Sequence, residues 1–267
     1  MKAIAGTSWG QQKETLITTY KQYTRPVLEY ACPVWSPIAS ETNIAKLQSV
    51  QNAALRCATG HTRDTNSTHY HTETQVLPLA QHMHLITSQF RESARNPDHP
   101  LHQVAIGPDP ERDMKATAFH TAHVTVVHGC APQGQEKEEI GKNKKRLHTA
   151  IVQKQVHSNP IHPLLNAQPP AIHKSEQTLP RATRRTLAQL RARKCPMLQE
   201  YLHSIGAAED PGCPLCGHRA HNTAHIFSCP SIHTDLSPQD LWRRPVLVAD
   251  LLQEWQTALE AAEAQEA

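Results

Sequence analysis

Four residues near the C-terminal end of this sequence have the types and spacing of a metal site. Cys213, Cys216, His225 and Cys229 read C-x2-C-x8-H-x3-C. Two thiolates separated by two residues grip one ion from a tight turn. A histidine and a cysteine four apart sit one helical turn from each other and face the same way. Three sulfurs and one imidazole nitrogen fill the coordination of a tetrahedral zinc ion and leave no position for water or substrate. The ion, Zn2+, is therefore expected to be structural rather than catalytic. His218 and His221 lie within the same loop and are alternatives to His225 as a ligand. A RING-type pair of zinc ions needs about twice as many ligands as this spacing supplies.

Just upstream lies a second group with chemical potential. Arg181, Arg184, Arg185, Arg191, Arg193 and Lys194 fall in one segment with no acid between 181 and 194. Such a run is expected to form a phosphate-binding surface. Neutralising phosphates releases counterions, so binding would carry a log–log salt slope of about −0.9 per phosphate on duplex. The competing reading is a basic helix that only confers solubility.

The elements that must position these groups are helical. Residues 12 to 94 carry Leu16, Ile17, Tyr20, Tyr23, Val27 and Leu28 at helical spacing, with Pro26 expected to kink or restart the helix. Ser40 is the expected cap of a helix carrying Ile44, Leu47, Ala54, Leu55 and Ala58, with Gly60 as its stop. Pro78 opens a third, with Leu79, Met83, Ile86, Phe90 and Ala94 in a stripe. Between 95 and 177 prolines recur and apolar periodicity is poor. That region is expected to be a largely disordered linker, with one helix near 139–157 and one short strand at Val124, Val126 and Val127. Its cluster Lys142, Lys144, Lys145 and Arg146 follows Glu136–Glu139, and reads as a solvated charge run rather than a nuclear-import or phosphate patch. Leu187, Leu190, Leu198, Leu202 and Ile205 give the basic segment an apolar face. Leu241, Trp242, Val246, Leu247, Val248, Leu251, Leu252 and Trp255 predict a helix, started by Pro245, that closes on the metal unit.

The expected fold class is mainly α: a small helical bundle at 1–94, a long poorly ordered linker at 95–177, a small zinc-stapled unit with its basic helix at 178–257, and a frayed tail at 258–267. The bundle and the zinc unit are expected to share little core.

Composition agrees with small packing units. Hydrophobic residues make up 38%, aromatic residues 4%, and there are 20 prolines. A formal charge of +3 confines nucleic-acid binding to local patches. The 19 histidines are scattered, which argues against a metal buffer tract. Seven cysteines, an odd number, do not suggest a disulfide framework, and a reducing compartment is expected. No signal peptide or membrane span is evident, so the expected location is nucleus or cytoplasm and not outside the cell.

Three stretches, in order, resemble one family. The first is Leu16-Ile-Thr-Thr-Tyr-Lys-Gln-Tyr-Thr-Arg-Pro-Val-Leu-Glu-Tyr-Ala31, continuing through Pro33-Val-Trp-Ser36 and Lys46–Arg56. The second is Leu179–Arg191, and the third is the cysteine–histidine unit followed by Asp240-Leu-Trp242. The first is similar to the segment after the polymerase palm, and the others to the C-terminal region, of reverse transcriptases of non-LTR retrotransposons, a class of transposable element. The resemblance implies a thumb-like helical region at about 12–94, and makes the chain look like a C-terminal remnant beginning after the palm. The family's polymerase uses an adjacent aspartate pair, and this sequence has no adjacent aspartates. No endonuclease and no RNase H carboxylate set is evident, so no catalytic residue carries over. The implied function is non-catalytic binding of zinc and of RNA or DNA with weak sequence selectivity. The alternative is a zinc-stapled structural or interaction module that binds no nucleic acid.

Overall fold

Ser40 starts its helix as the sequence predicts. Its hydroxyl accepts the Asn43 N–H at 3.3 Å, the helix runs Glu41–Thr59, and Gly60 ends it at φ 77°. The computed structural model describes residues 2–6, 10–102 and 137–266, and these are mainly helical. Among them no named strand occurs, only an isolated bridge between His162 and Ala167. The strand expected at Val124–Val127, and Glu136, lie outside the described residues.

Before that helix the chain is broken in the manner its prolines require. The helix Lys13–Thr19 passes into a π-helical turn, Tyr20–Thr24, ahead of Pro26, which has no N–H to give to an i−4 carbonyl. Short helices follow at Arg25–Leu28 and Cys32–Trp35, divided by Ala31 in the left-handed region at φ 52°.

The chain divides into two units that interleave along the sequence. One comprises residues 21–52 and 76–159. Its core is Cys32, Leu79 and Met83 with Leu28, Trp35, Ile44, Leu47 and Ile86 around them. The helix Leu79–Ala94 begins at Pro78, which has no side-chain cap; the Gln48 Oε1 accepts the Leu79 N–H at 2.7 Å instead. The helix expected near 139–157 is Lys137–Ser158, and it buries Leu147 and Ile151 against Leu85. Asn143 donates to Glu92 at 2.8 Å in the same interface.

The other unit comprises residues 1–20, 53–75 and 160–267. This differs from the division at 1–94 and 178–257, because parts of the N-terminal region group with the metal unit. The physical reason is a buried ionic network. Lys13 donates to Glu73 at 3.1 Å and to Glu176 at 3.0 Å. Arg191 donates to Glu176 and lies 3.6 Å from Glu73, and Arg184 pairs with Glu176 and Glu14. Three cations and three carboxylates therefore balance, and all but Glu14 are largely buried. Glu176 also corrects the linker reading: residues 160–177 belong to this unit and supply one of its central charges.

Burial pushes the Glu73 carboxyl up, but Lys13 and Arg191 outweigh it and hold it at about 2 against an ordinary 4.5. A depressed carboxyl pKa contributes stability that is present above 4.5 and lost as pH falls toward about 2. Acid titration of unfolding should show that loss, and Glu73→Gln should remove it. Arg191→Ala removes one cation from a buried network and leaves Glu73 and Glu176 to share Lys13, so it should cost about 3 kcal/mol in urea unfolding. Glu138→Ala, which breaks an exposed 2.9 Å pair with Lys142, should cost under about 0.5 kcal/mol.

Candidate metal centre

Cys213, Cys216, His225 and Cys229 converge. One ligand atom from each lies within 4.8 Å of the others, so the four could hold a metal ion. The Cys216 Sγ to His225 Nε2 distance is 3.4 Å. A tetrahedral ion with ordinary metal–sulfur and metal–nitrogen lengths requires an edge of about 3.5 Å between such atoms. The set therefore has a size that fits one small ion.

Local backbone chemistry builds the two halves. In the first, the Gly217 N–H donates to the Cys213 carbonyl at 2.9 Å, and the Cys213 N–H to the His218 carbonyl at 2.7 Å. That closed turn aims both cysteines at one point. It passes through Gly217 at φ 68°, where a side chain would be strained although nothing crowds the position. In the second, Asn222 caps the short helix Thr223–Ile226 by accepting the His225 N–H at 3.0 Å. Ser228 N–H donates to the His225 carbonyl at 3.0 Å, so the turn continues to Cys229.

The centre sits against apolar walls. Cys213 and Cys229 are buried in the same cluster as Leu187, Leu190, Ile226, Phe227, Leu241, Trp242 and Trp255. The closing helix is Pro245–Glu266, and its Trp255 donates to the Ile226 carbonyl at 3.3 Å. Thr223 donates to the Leu190 carbonyl at 3.1 Å, which ties the ligand helix to the helix Arg181–Arg191. Burial, with help from Cys216 and Cys229, pushes the Cys213 thiol up to about 11. Cys216 moves the other way: burial opposes the shift, but the His218 backbone N–H and the neighbouring thiols favour its thiolate.

The alternative histidines are placed elsewhere. His221 is buried, its Nδ1 accepts the Gln199 N–H at 3.3 Å, and its ring stacks on Trp255 at 5.1 Å. His218 is exposed and stacks on His225 at 4.6 Å. Both pack around the ligand rather than joining the set.

The basic segment is where the structure departs most from the sequence reading. Arg184 and Arg191 are buried in the ionic network. Arg191 also donates from Nε to the Leu241 carbonyl at 3.0 Å and lies over the Trp242 ring. Arg181 caps the end of the helix Glu41–Thr59, donating to the carbonyls of Cys57 at 3.0 Å and Ala58 at 3.2 Å, and to that of Gly6 at 2.9 Å. Arg185 lays its stem on Gly60, where an added Cβ would meet its Cγ at 2.6 Å. Lys194 pairs with Asp64 at 3.1 Å and sits over Tyr201. Only Arg193 is exposed with no side-chain partner among the described residues. The cavity between Lys13, Arg181, Arg184 and Arg185 measures about 10 Å3, room for one water and not for a phosphate. The six cations therefore do not form one surface: Arg184 and Arg191 face inward, Arg181, Arg185 and Lys194 are half-buried with partners, and Arg193 is exposed. The signal was legible, since Arg184 and Arg191 share helical spacing with Leu187 and so lie on the apolar face.

Among the described residues no helix is long and apolar enough to cross a membrane. No family model, curated protein or solved structure matches this chain.

Cobalt titration separates the histidines. His225→Ala should lose the thiolate-to-cobalt absorption of a four-ligand site, and His221→Ala should keep it. Thiols must ionise to bind, so apparent metal affinity should rise with pH as Cys213 deprotonates toward about 11.

Proposed function

We propose that this chain is a non-catalytic module whose Cys213, Cys216, His225 and Cys229 hold one zinc ion as an architectural clamp. One observation carries the reading: three sulfurs and one imidazole nitrogen lie within 4.8 Å of one another. Sulfur-rich tetrahedral sets favour zinc, and a set complete in protein ligands leaves no place for a reacting water. The ion would balance thiolate charge beside an apolar cluster that includes Tyr201, Phe227, Trp242 and Trp255. The stretches at 16–56, 179–191 and 213–242 support an origin in the C-terminal region of a non-LTR retrotransposon reverse transcriptase. They carry no catalytic role with them. The strongest candidate acids in the metal-bearing unit, Glu73 and Glu176, are neutralised by Lys13, Arg184 and Arg191.

The same origin supports a second reading, weak binding of RNA or DNA. The observation favouring it is that Arg193 is exposed and that Arg185 borders a surface groove of about 330 Å3. Within 181–194 these two cations, one of them also bonded to the Gly60 carbonyl, set its scale.

Metal analysis of reduced protein should find one zinc per chain, and none in Cys213→Ser; a stoichiometric absence in the parent protein would remove the reading. Filter binding across salt should give a log–log slope no steeper than about −2 rather than the roughly −5 of six phosphate contacts. Primer extension on an RNA template should give no product above a no-protein control.

A further inference from the structure

Residues 23–38 hold an apolar face toward solvent that the metal centre does not explain. Tyr23 is 72% exposed, Val27 77%, Tyr30 82%, Val34 76% and Ile38 66%. The same segment has a separate inward set, Leu28, Cys32 and Trp35, which packs with Ile44, Leu47, Leu79, Met83 and Ile86. The outward residues sit on short helical turns broken at Ala31, so they form a patch of separate turns and not one helical stripe. Single exposed apolar side chains are ordinary, but a run of five large ones marks an interaction surface.

Two arguments identify the occupant. The first is area. The five side chains leave on the order of 600 Å2 in water, about half of it from the two tyrosines. Two such faces together would remove about 1,200 Å2, the lower bound for a specific, stable interface. The second is charge. Lys21 is exposed at one end of the segment and Glu41 at the other, and neither is ion-paired among the described residues. A base and an acid at opposite ends complement each other under two-fold rotation, because each copy then offers Lys21 to the other's Glu41. Single-stranded nucleic acid is a poorer fit, since three of the five side chains are aliphatic and give no ring face for stacking.

We propose that residues 21–41 form a self-association face on which a second copy of this chain docks antiparallel, in a two-fold dimer. The metal centre takes no part in it. Sedimentation velocity and light scattering on the full chain, over a concentration series at low salt, test it. The parent protein should convert from monomer to dimer as concentration rises. Val27→Asp and Tyr30→Asp, which change exposed positions and should leave the helical circular dichroism unaltered, should each weaken dimerisation at least about tenfold. Lys21→Glu and Glu41→Lys should each weaken it, and the double variant should restore it. A chain that stays monomeric throughout, a dimer indifferent to Val27→Asp, or assembly only when a single-stranded oligonucleotide is added would each overturn the proposal.

Discussion

Three cysteine sulfurs and an imidazole gathered against an apolar cluster, close enough to hold a metal ion, form the constraint on which the proposed architecture rests. Thiolates are costly to bury uncompensated, and in the proposed reading a divalent ion would be the compensation that suits their number and spacing. The surrounding side chains make sense in that light. Ile226 and Phe227 sit between two ligands in the sequence and pack into the core, while Trp255 reaches back to the Ile226 carbonyl. Ligand geometry and core packing are therefore one arrangement: the helix that carries His225 cannot shift without disturbing the contact with Leu190.

A second constraint lies in the ionic network of Lys13, Glu73, Glu176, Arg184 and Arg191. Segments from three distant parts of the chain meet there. Buried ion pairs contribute little net stability compared with apolar packing, but removing one member is expensive. Such a network favours one arrangement of segments over others. Because the network ties residues 1–20 and 53–75 to 160–191, chain order is a poor guide to which residues pack together.

The sequence showed the helices well, because their evidence is local. Ser40, Gly60 and Pro245 act where their chemistry predicts, and the stripe of Leu187 and Leu190 faces the core. The ligand set was legible for the same reason: its four members lie within one short stretch, and their spacing is itself the geometry. What the sequence hid was non-local. Nothing near Glu73 or Glu176 announces that each will meet Lys13. The six cations at 181–194 therefore read as a surface although five of them have partners on other elements, two of the five being buried. Charge composition counts cations without saying which way they point, and the helical period of Arg184, Leu187 and Arg191 was the only clue to their direction.

Amide hydrogen exchange before and after chelation tests the central claim most directly. If one ion clamps this unit, chelation should strip protection from 187–255 and from 53–75, and restoring zinc should return it. Protection in 187–255 that persists unchanged through complete metal removal would contradict the account.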